Sequence, residues 1–302
     1  MLQQSELPVD ANAADPLVAA FEAPEPESSA RRAWWRAIPV AFCCLWLLLV
    51  TVGAVFASWL PIQSPSTVKP IERLRGPSWQ HWFGTDNLGR DLFARSVYGA
   101  RVSLTVGIVS VVIGLVIGGA VGIVAGYLRG RTDEFISWLV DVLLSFPSLV
   151  LLIALVAYRG SGLTNICLAL GFLGIPIYAR LARAHAMTIG GEEFVLAARA
   201  TGAGKLRILW REIMPNVLPM LTAYGLVSMS LAIVVEGSLS FLGLSVSVPT
   251  PSWGGLIAGG QSFIRQTPSW IILPSIVLCL TVLSLNVIGE RLRRRFEVGS
   301  GG

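Results

Sequence analysis

The run from Gly202 to Lys205, Gly-Ala-Gly-Lys, is the part of this sequence closest to a nucleotide-binding motif. A phosphate-binding loop needs a glycine-rich turn after a buried strand, a lysine for the phosphates, and a serine or threonine for magnesium. Here Leu206 occupies the hydroxyl position, Arg199 occupies the position of the upstream glycine, and no buried strand precedes the run. We therefore predict that this chain binds no nucleotide.

Cysteine and histidine are the other residue types that often carry metal or nucleophilic chemistry. Cys43 and Cys44 are adjacent, Cys167 and Cys279 stand alone, and all four lie in apolar segments. This spacing matches no metal-binding pattern, so we interpret the cysteines as small packing residues. The two histidines have no partner motif, and no nucleophile–base pair is evident. The sequence predicts neither a catalytic site nor a metal site.

Two carboxylates, Asp141 and Glu236, lie inside segments that are otherwise apolar. Ionisable groups at membrane depth are costly, so we expect both to face protein or water. Asp141 either neutralises an arginine or lines a path, and for both residues a structural ion pair or a hydrogen bond to backbone is the alternative. Pro147 follows Asp141 in the same segment and is expected to break helix regularity.

The composition places these residues in a membrane protein. The 302-residue chain is 54% hydrophobic and 14% charged, with a net charge of +5 and a mean hydropathy of +0.68. Soluble domains carry about 25% charged residues. The basic residues flank apolar runs and form no single stripe, so we exclude nucleic acid as a partner and expect a lipid bilayer.

Six apolar segments are long enough to cross a bilayer, which takes about 20 residues. They are 38–60, 102–127, 137–158, 163–187, 216–240 and 268–290. The first segment is too long for a cleavable signal and is interpreted as a retained anchor. Gly114, Gly118, Gly122 and Gly126 recur every four residues in the second, which predicts close helix packing within the subunit or against a partner.

The apolar segments divide the chain into five parts. These are an acidic disordered tail (1–30), a first transmembrane anchor (31–61), an extracytoplasmic loop and amphipathic segment (62–101), a core (102–291), and a basic tail (292–302). Arginine and lysine concentrate before the first segment, in alternate loops and after the last segment, which predicts that both termini are cytoplasmic. The basic 61–101 connection argues against this orientation, but long loops follow the charge rule weakly.

The stretch 188–215 within the core is too polar to span a membrane and too patterned to be a plain connector. Acidic residues Glu192 and Glu193 suit the first turn of a helix, and Gly202 suits its end. Phe194, Ala197, Ala198 and Thr201 then share one face, and Leu206, Leu209, Trp210 and Ile213 form a second stripe. Such a helix either lies on lipid or docks into a groove of a soluble partner; the central alanines favour docking.

Residues 81–104 predict a turn followed by a helix leading into the second span. Asp86 to Gly89 form the turn, and Asp86 is the expected N-cap. The segment is similar to a signature of the second membrane subunit of ABC importers for dipeptides, oligopeptides and nickel, GTDxLGRDxxSRxxYGxRxSL. The matching residues are Gly84, Thr85, Asp86, Leu88, Gly89, Arg90, Asp91, Arg95, Tyr98, Gly99, Arg101, Ser103 and Leu104.

The stretch 188–215 resembles the cytoplasmic loop of the same permeases, whose motif reads EAA, three residues, Gly, and later Leu-Pro. Leu196-Ala197-Ala198 stands in place of EAA, Gly202 supplies the glycine, and Met214-Pro215 replaces Leu-Pro. Leu196 departs from the usual glutamate and removes a carboxylate from the helix. The resemblance, which covers about 75–302, implies a coupling helix docked on an ATPase. Its interface residues would be Glu193, Phe194, Leu196, Ala197, Ala198, Arg199 and Gly202.

The resemblance implies an all-α polytopic protein with six transmembrane helices, the type I importer permease fold, in a bacterial inner membrane. The implied partners are a second homologous permease, two ATPase subunits, an extracytoplasmic binding protein and a peptide. ATP and magnesium would be bound by the ATPases, and this chain would hold no cofactor. Glu236, expected in the outer half of its span, either pairs across to the second permease or makes the structural ion pair or backbone hydrogen bond named above. The structural or gating candidates are Asp86, Arg90, Asp91, Asp141, Pro147 and Glu236.

Other functions remain open at this point. A self-contained secondary transporter or channel predicts inverted repeats and a coupled-ion site at mid-membrane, and neither is evident. Relatives in the same family carry nickel, haem or glutathione, so the resemblance does not select one substrate.

Overall fold

The computed structural model describes residues 26–246 and 249–299, with side chains described from Ile38 to Phe296 within those ranges. This part of the chain is helical, and its one β-type contact is an isolated bridge between Thr85 and Asp91. The helices are α1 (Pro26–Phe56), α2 (Leu92–Leu128), α3 (Gly130–Ser145), α4 (Ser148–Arg159), α5 (Leu163–Ile189), α6 (Glu193–Ala200), α7 (Lys205–Phe241), α8 (Trp253–Gly260) and α9 (Ser269–Gly299).

Five of these helices are long and apolar enough to span a membrane, and α3 with α4 supplies a sixth, bent span. The prediction of six apolar segments is confirmed. The third segment is not straight, because α3 and α4 meet at 82°. Phe146 adopts an extended conformation there (φ −78°, ψ 137°). The residue before a proline is sterically disfavoured in the helical region, so the bend follows from Pro147.

Several helices extend beyond the predicted apolar segments. α2 begins at Leu92 instead of 102, α7 at Lys205 instead of 216, and α9 continues to Gly299 instead of ending near 290. The predicted boundaries were too narrow because hydropathy detects only the lipid-facing part of a helix. A 37-residue helix is about 55 Å long, well beyond the ~30 Å hydrocarbon layer.

The predicted terminal tails also need correction. Residues 26–30, assigned to a disordered tail, form the first turns of α1, and much of the predicted basic tail belongs to α9. The rest of the N-terminal prediction, residues 1–25, lies outside the described residues. The remaining divisions of the chain into domains stay predictions.

The glycine stripe of α2 packs against α5 within the chain. A Cβ at Gly118 or Gly122 would overlap the carbonyl oxygen of Ile175 or Ala179, respectively, and one at Gly126 would lie 2.5 Å from the carbonyl oxygen of Arg183. Backbones this close exclude any side chain. Of the two packing alternatives that the spacing predicted, the structure shows the one within the subunit.

The buried side chains form separate clusters at the two ends of the helical bundle. One cluster joins the end of α2, the end of α5, α6 and the start of α7, and includes Tyr127, Ala186 and Val195. At the opposite end, Leu92 packs with Leu256 of α8 and Trp270 of α9. α1 keeps many large apolar side chains exposed, as a lipid-facing helix does, and Trp46 donates a hydrogen bond to the hydroxyl of Thr281 (3.1 Å).

Candidate functional site

The short helix α6 lies in the connection between α5 and α7, and the local sequence sets both of its ends. Glu192 is extended at the N-cap position (φ −67°, ψ 150°), and Glu193 places a carboxylate in the first turn, which the helix dipole favours. At the other end Gly202 takes a left-handed conformation (φ +81°). The amides of Gly202 and Ala203 donate to the carbonyls of Arg199 and Ala198, both at 3.0 Å, completing a Schellman cap.

One side chain anchors α6 to the rest of the molecule. Val195 is fully buried among Ile208 and Ile213 of α7 and the end of α5. Its neighbours Phe194 and Leu196 are 43% and 50% exposed, and Ala197 is exposed as well. With Val195 turned inward, α6 presents a mixed face of small and large apolar side chains away from its own chain.

The first predicted stripe faces outward: Phe194, Ala197 and Thr201 are exposed and Ala198 is half-buried. Val195, which was in neither predicted stripe, is the buried anchor. The residues of the second predicted stripe do not share one environment, because Ile213 is buried whereas Trp210 is 59% exposed. Leu209 to Ile213 form a π-helical turn, which shifts the register of the residues that face the core.

Two further features complete the surface around α6. The Arg199 guanidinium lies over the ring of Tyr127, 5.4 Å from its centroid, and so joins α6 to the end of α2. A cavity of about 390 Å³ adjoins the C-terminal end of α6, and Gly202, Arg207 and Glu212 are part of its lining. Exposed Leu206 and Trp210 continue the apolar surface along α7. This arrangement is suited to contact with another protein and has no chemistry of its own.

The first loop, residues 57–91 between α1 and α2, is organised around buried charges. Asp86 accepts hydrogen bonds from the amides of Leu88 (2.8 Å) and Arg90 (2.9 Å) and from the Arg90 guanidinium (2.6 Å). Arg95 lies 3.8 Å away and donates to the carbonyl of Pro65 (3.0 Å). Asp86 is thus the centre of a folded turn, and the prediction that it caps a helix is wrong.

Asp91 is the N-cap of α2. One of its oxygens accepts from the amide of Ala94 (2.7 Å), and the other lies 2.6 Å from Nδ1 of His81. The His81 ring is buried, and its Nε2 lies 3.2 Å from Glu72. Partial burial acts to raise the pKa of Glu72, but the nearby Lys69 and His81 outweigh it, and the pKa is lowered. Sequence reasoning missed His81, because its partners are nine and ten residues away and share no motif.

Glu236 is completely buried within the chain. Its carboxylate accepts hydrogen bonds from Ser245 (2.6 Å), Ser240 (3.2 Å) and Ser103 (3.5 Å). Ser103 also accepts from the amide of Trp253 (3.3 Å), so Glu236 links α2, α7 and the start of α8. The expectation that Glu236 pairs with the second permease is wrong, because its own chain covers it. Three serine hydroxyls donate the hydrogen bonds that its carboxylate accepts. The predicted ion pair or backbone hydrogen bond is not what stabilises the buried carboxylate.

Asp141 lies on α3 and forms an ion pair with Arg180 of α5 at 2.5 Å, which is the first of the two alternatives that the sequence left open. A second ion pair joins the same two helices, between Asp133 and Arg183, and sequence reasoning missed it. Pro147 follows two turns after Asp141, at the bend.

The arrangement of the spans matches known transporter structures. Two structures described as "Inward facing conformations of the MetNI methionine ABC transporter" superpose with TM-scores of 0.56 and 0.57 at 20% identity. The match covers 68% of this chain and 96% and 97% of those chains. At this identity the likeness shows that the chain has the same helical fold as those transporter chains.

The chain belongs to the family of binding-protein-dependent transport system inner membrane components, whose pattern matches residues 118–298. A dipeptide transport system permease protein DppC of Alkalihalophilus pseudofirmus is 40% identical, covering 80% of this chain and 79% of the relative. A di/tripeptide permease DppC of Pseudomonas aeruginosa is 39% identical (82% and 84%), and a glutathione permease GsiD of Pectobacterium atrosepticum is 38% identical (82% and 83%). The family inferred from the sequence motifs is confirmed.

Proposed function

We propose that this permease subunit imports dipeptides or other short peptides across the bacterial inner membrane. The similar relatives are named for dipeptides, di/tripeptides and glutathione, which are all short peptidic molecules. The subunit is not an enzyme and holds no cofactor. It forms the translocation pathway with a second, homologous permease, and an extracytoplasmic binding protein delivers the substrate.

The energy for import comes from two ATPase subunits, which bind ATP and magnesium. The exposed face of α6 docks on one of them and transmits its closure to the spans. The observation that carries this proposal is the division of α6 into one buried anchor, Val195, and an outward face that includes Phe194 and Leu196. An amphipathic helix seated in a partner's groove needs such a face. Leu196 makes an apolar contact where relatives with glutamate would make a polar one.

The docking of α6 is tested by replacing Phe194 with Asp and purifying the assembled importer. We expect the ATPase subunits to be lost from the complex and substrate-stimulated ATP hydrolysis to fall, while membrane insertion is unchanged. Trp79→Asp is the matched control, because Trp79 is 96% exposed in the first loop, at the other end of α2. If Phe194→Asp retains the ATPases and their substrate-stimulated hydrolysis, α6 does not dock on them, and the lipid-surface alternative for this helix holds.

The orientation follows from this docking. α6 must lie in the cytoplasm, where ATP is available, so both termini are cytoplasmic and the first loop is extracytoplasmic. Labelling of single cysteines introduced at Trp79 and at Ala197 with a membrane-impermeant reagent tests this orientation. From outside the cell, only the cysteine at position 79 should react.

The substrate class is tested by uptake into proteoliposomes that contain the complete importer with its binding protein. ATP-dependent accumulation of dipeptides or tripeptides is the expected result. Accumulation of nickel or haem without any peptide would assign a different cargo within the same family. Transport by this chain alone, without ATP, would identify a secondary transporter or channel and contradict the proposal.

A further inference from the structure

Two ion pairs connect α3 to α5, and they differ in geometry. Asp133 and Arg183 form a two-pronged contact, with Nε to one carboxylate oxygen and an Nη2 hydrogen bond of 2.8 Å to the other. Ser137 adds a third hydrogen bond to Asp133 (3.4 Å). Asp141 and Arg180 form a single hydrogen bond of 2.5 Å.

The two pairs also differ in exposure. The side chains of Asp133 and Arg183 are 14% and 35% exposed, whereas those of Asp141 and Arg180 are 64% and 61% exposed. Arginine has five N–H donors and a carboxylate accepts up to about four hydrogen bonds. Within the described residues, Arg180 and Asp141 hydrogen-bond only to each other, so most of their capacity is unused.

The exposed pair lies at a depth where lipid contact is unfavourable. Asp141 is two turns, about 12 Å, further along α3 than Asp133, in the bent apolar span formed by α3 and α4. Charged side chains in such a span normally face a water-filled passage or another polar surface. Asp141 and Arg180 are therefore expected to face a water-filled passage or another polar surface, and not the lipid.

A cavity beside the pair has room for one end of a small polar molecule. It measures about 250 Å³, and its lining includes Asp141, Arg180, Arg183 and Ser137, with apolar Ile136 and Val140 on the same wall. Complete small-molecule sites measure about 300–1,000 Å³. The cavity presents one carboxylate and two guanidinium groups, and Arg183 is already held in its two-pronged contact with Asp133. Asp141 and Arg180 are left to meet a molecule with an ammonium and a carboxylate a short distance apart.

We propose that Asp141 and Arg180 bind the two termini of the peptide during its passage, with Asp141 taking the ammonium and Arg180 the carboxylate. The proposal rests on the peptide function proposed above and adds a recognition site inside the permease. Arginine pairs with carboxylates in a planar, two-pronged geometry, and the single bond to Asp141 leaves that geometry available. The internal pair is exchanged for two pairs with the substrate, so the charges in the pathway stay neutralised throughout.

The test compares the turnover of free peptides with that of capped peptides in the reconstituted importer. The binding protein is saturated with each peptide, and its affinity for each is measured separately, so that recognition by the permease alone is compared. Wild type should transport a free dipeptide about tenfold faster than its C-terminal amide or its N-acetyl derivative, equivalent to about 1.4 kcal/mol. Arg180→Gln should transport the free dipeptide and its C-terminal amide at the same rate. Asp141→Asn should transport the free dipeptide and its N-acetyl derivative at the same rate.

Asp133→Asn is the matched control, because Asp133 is on the same helix as Asp141 and does not line the cavity. It breaks the shielded pair and should lower turnover equally for free and capped peptides. The proposal is overturned if the exposed-pair variants keep the wild-type ratio of free to capped turnover.

A measurement on the wild-type chain tests the same site without any variant that could misfold. A dipeptide with a photoreactive side chain, supplied on the binding protein during ATP hydrolysis, should label α3 around Ile136 and Val140. Excess unlabelled dipeptide should compete with this labelling, and the diamide-capped form should not. Labelling that both forms suppress equally contradicts recognition of the termini. If wild type transports no peptide at all, the proposed function fails and not merely this site.

Discussion

The first loop and the α6 connection are both short polar segments between spans, but they use their side chains in opposite ways. The first loop buries its charges: Asp86 and Arg90 are at most 8% exposed, and His81 lies between two carboxylates. The α6 connection buries one valine and leaves its large apolar side chains exposed. The charges of the first loop are therefore satisfied within this chain, although Ile71 and Trp79 remain exposed there, whereas the outward apolar side chains of α6 have no such internal partners within the described part of the chain.

This difference separates the motif residues that stabilise the subunit itself from those that are available to contact another protein. Residues 84–104 and 193–202 both match family signatures, but the matched charges of the first belong to the fold of the subunit itself. The matched residues of the second mostly point outward. Substitutions in the two regions should accordingly separate into effects on stability and effects on assembly.

The largest effect should come from replacing Asp86 with Ala. This leaves Arg90 and Arg95 buried without their carboxylate and removes acceptors for two backbone amides. Breaking a buried ion pair costs about 3–5 kcal/mol. We expect a large loss of thermal stability in detergent, followed by tryptophan fluorescence, and little folded protein. An unchanged melting temperature would show that the first loop does not depend on its charge network.

A smaller effect is expected at the anchor of α6. Val195→Ala removes two buried carbon atoms, which costs about 1.6 kcal/mol at ~0.8 kcal/mol per group, plus a cavity term. Leu196→Ala is the comparison, because Leu196 is half-exposed and should leave stability nearly unchanged while weakening ATPase binding. Thermal denaturation and co-purification of the ATPases measure the two effects. Equal destabilisation by both substitutions would contradict the division into anchor and docking face.

The smallest effect should be on the pH dependence of thermal stability, through Glu72 in the first loop. The pKa of Glu72 is lowered in the folded protein, as partial burial is outweighed by Lys69 and His81. Ionised Glu72 therefore stabilises the fold at neutral pH, and this contribution is lost as the pH falls from the ordinary glutamate pKa of about 4.3 through the lowered value. Glu72→Gln should flatten the decline of thermal stability over that pH range. A decline as steep as in wild type would exclude Glu72 as its source.

The amino-acid sequence by itself determined the membrane class, the six apolar segments and the end of α6. These depend on short-range effects: hydropathy over about 20 residues, the steric restriction before Pro147, and the freedom of Gly202 to adopt a left-handed conformation. Two motifs also identified the family. The apolar segments alone placed the beginnings of α2 and α7 too late, because polar helix ends carry no hydropathy signal.

Only the tertiary structure decided what the buried polar groups contact. Glu236 is satisfied by Ser103, which is 133 residues away, and Arg183 reaches Asp133 across 50 residues. The face of α6 that is buried was likewise decided by Ile208 and Ile213, which follow it in α7. Such partners are brought together by the packing of several helices at once, and no local pattern of residue types encodes that packing.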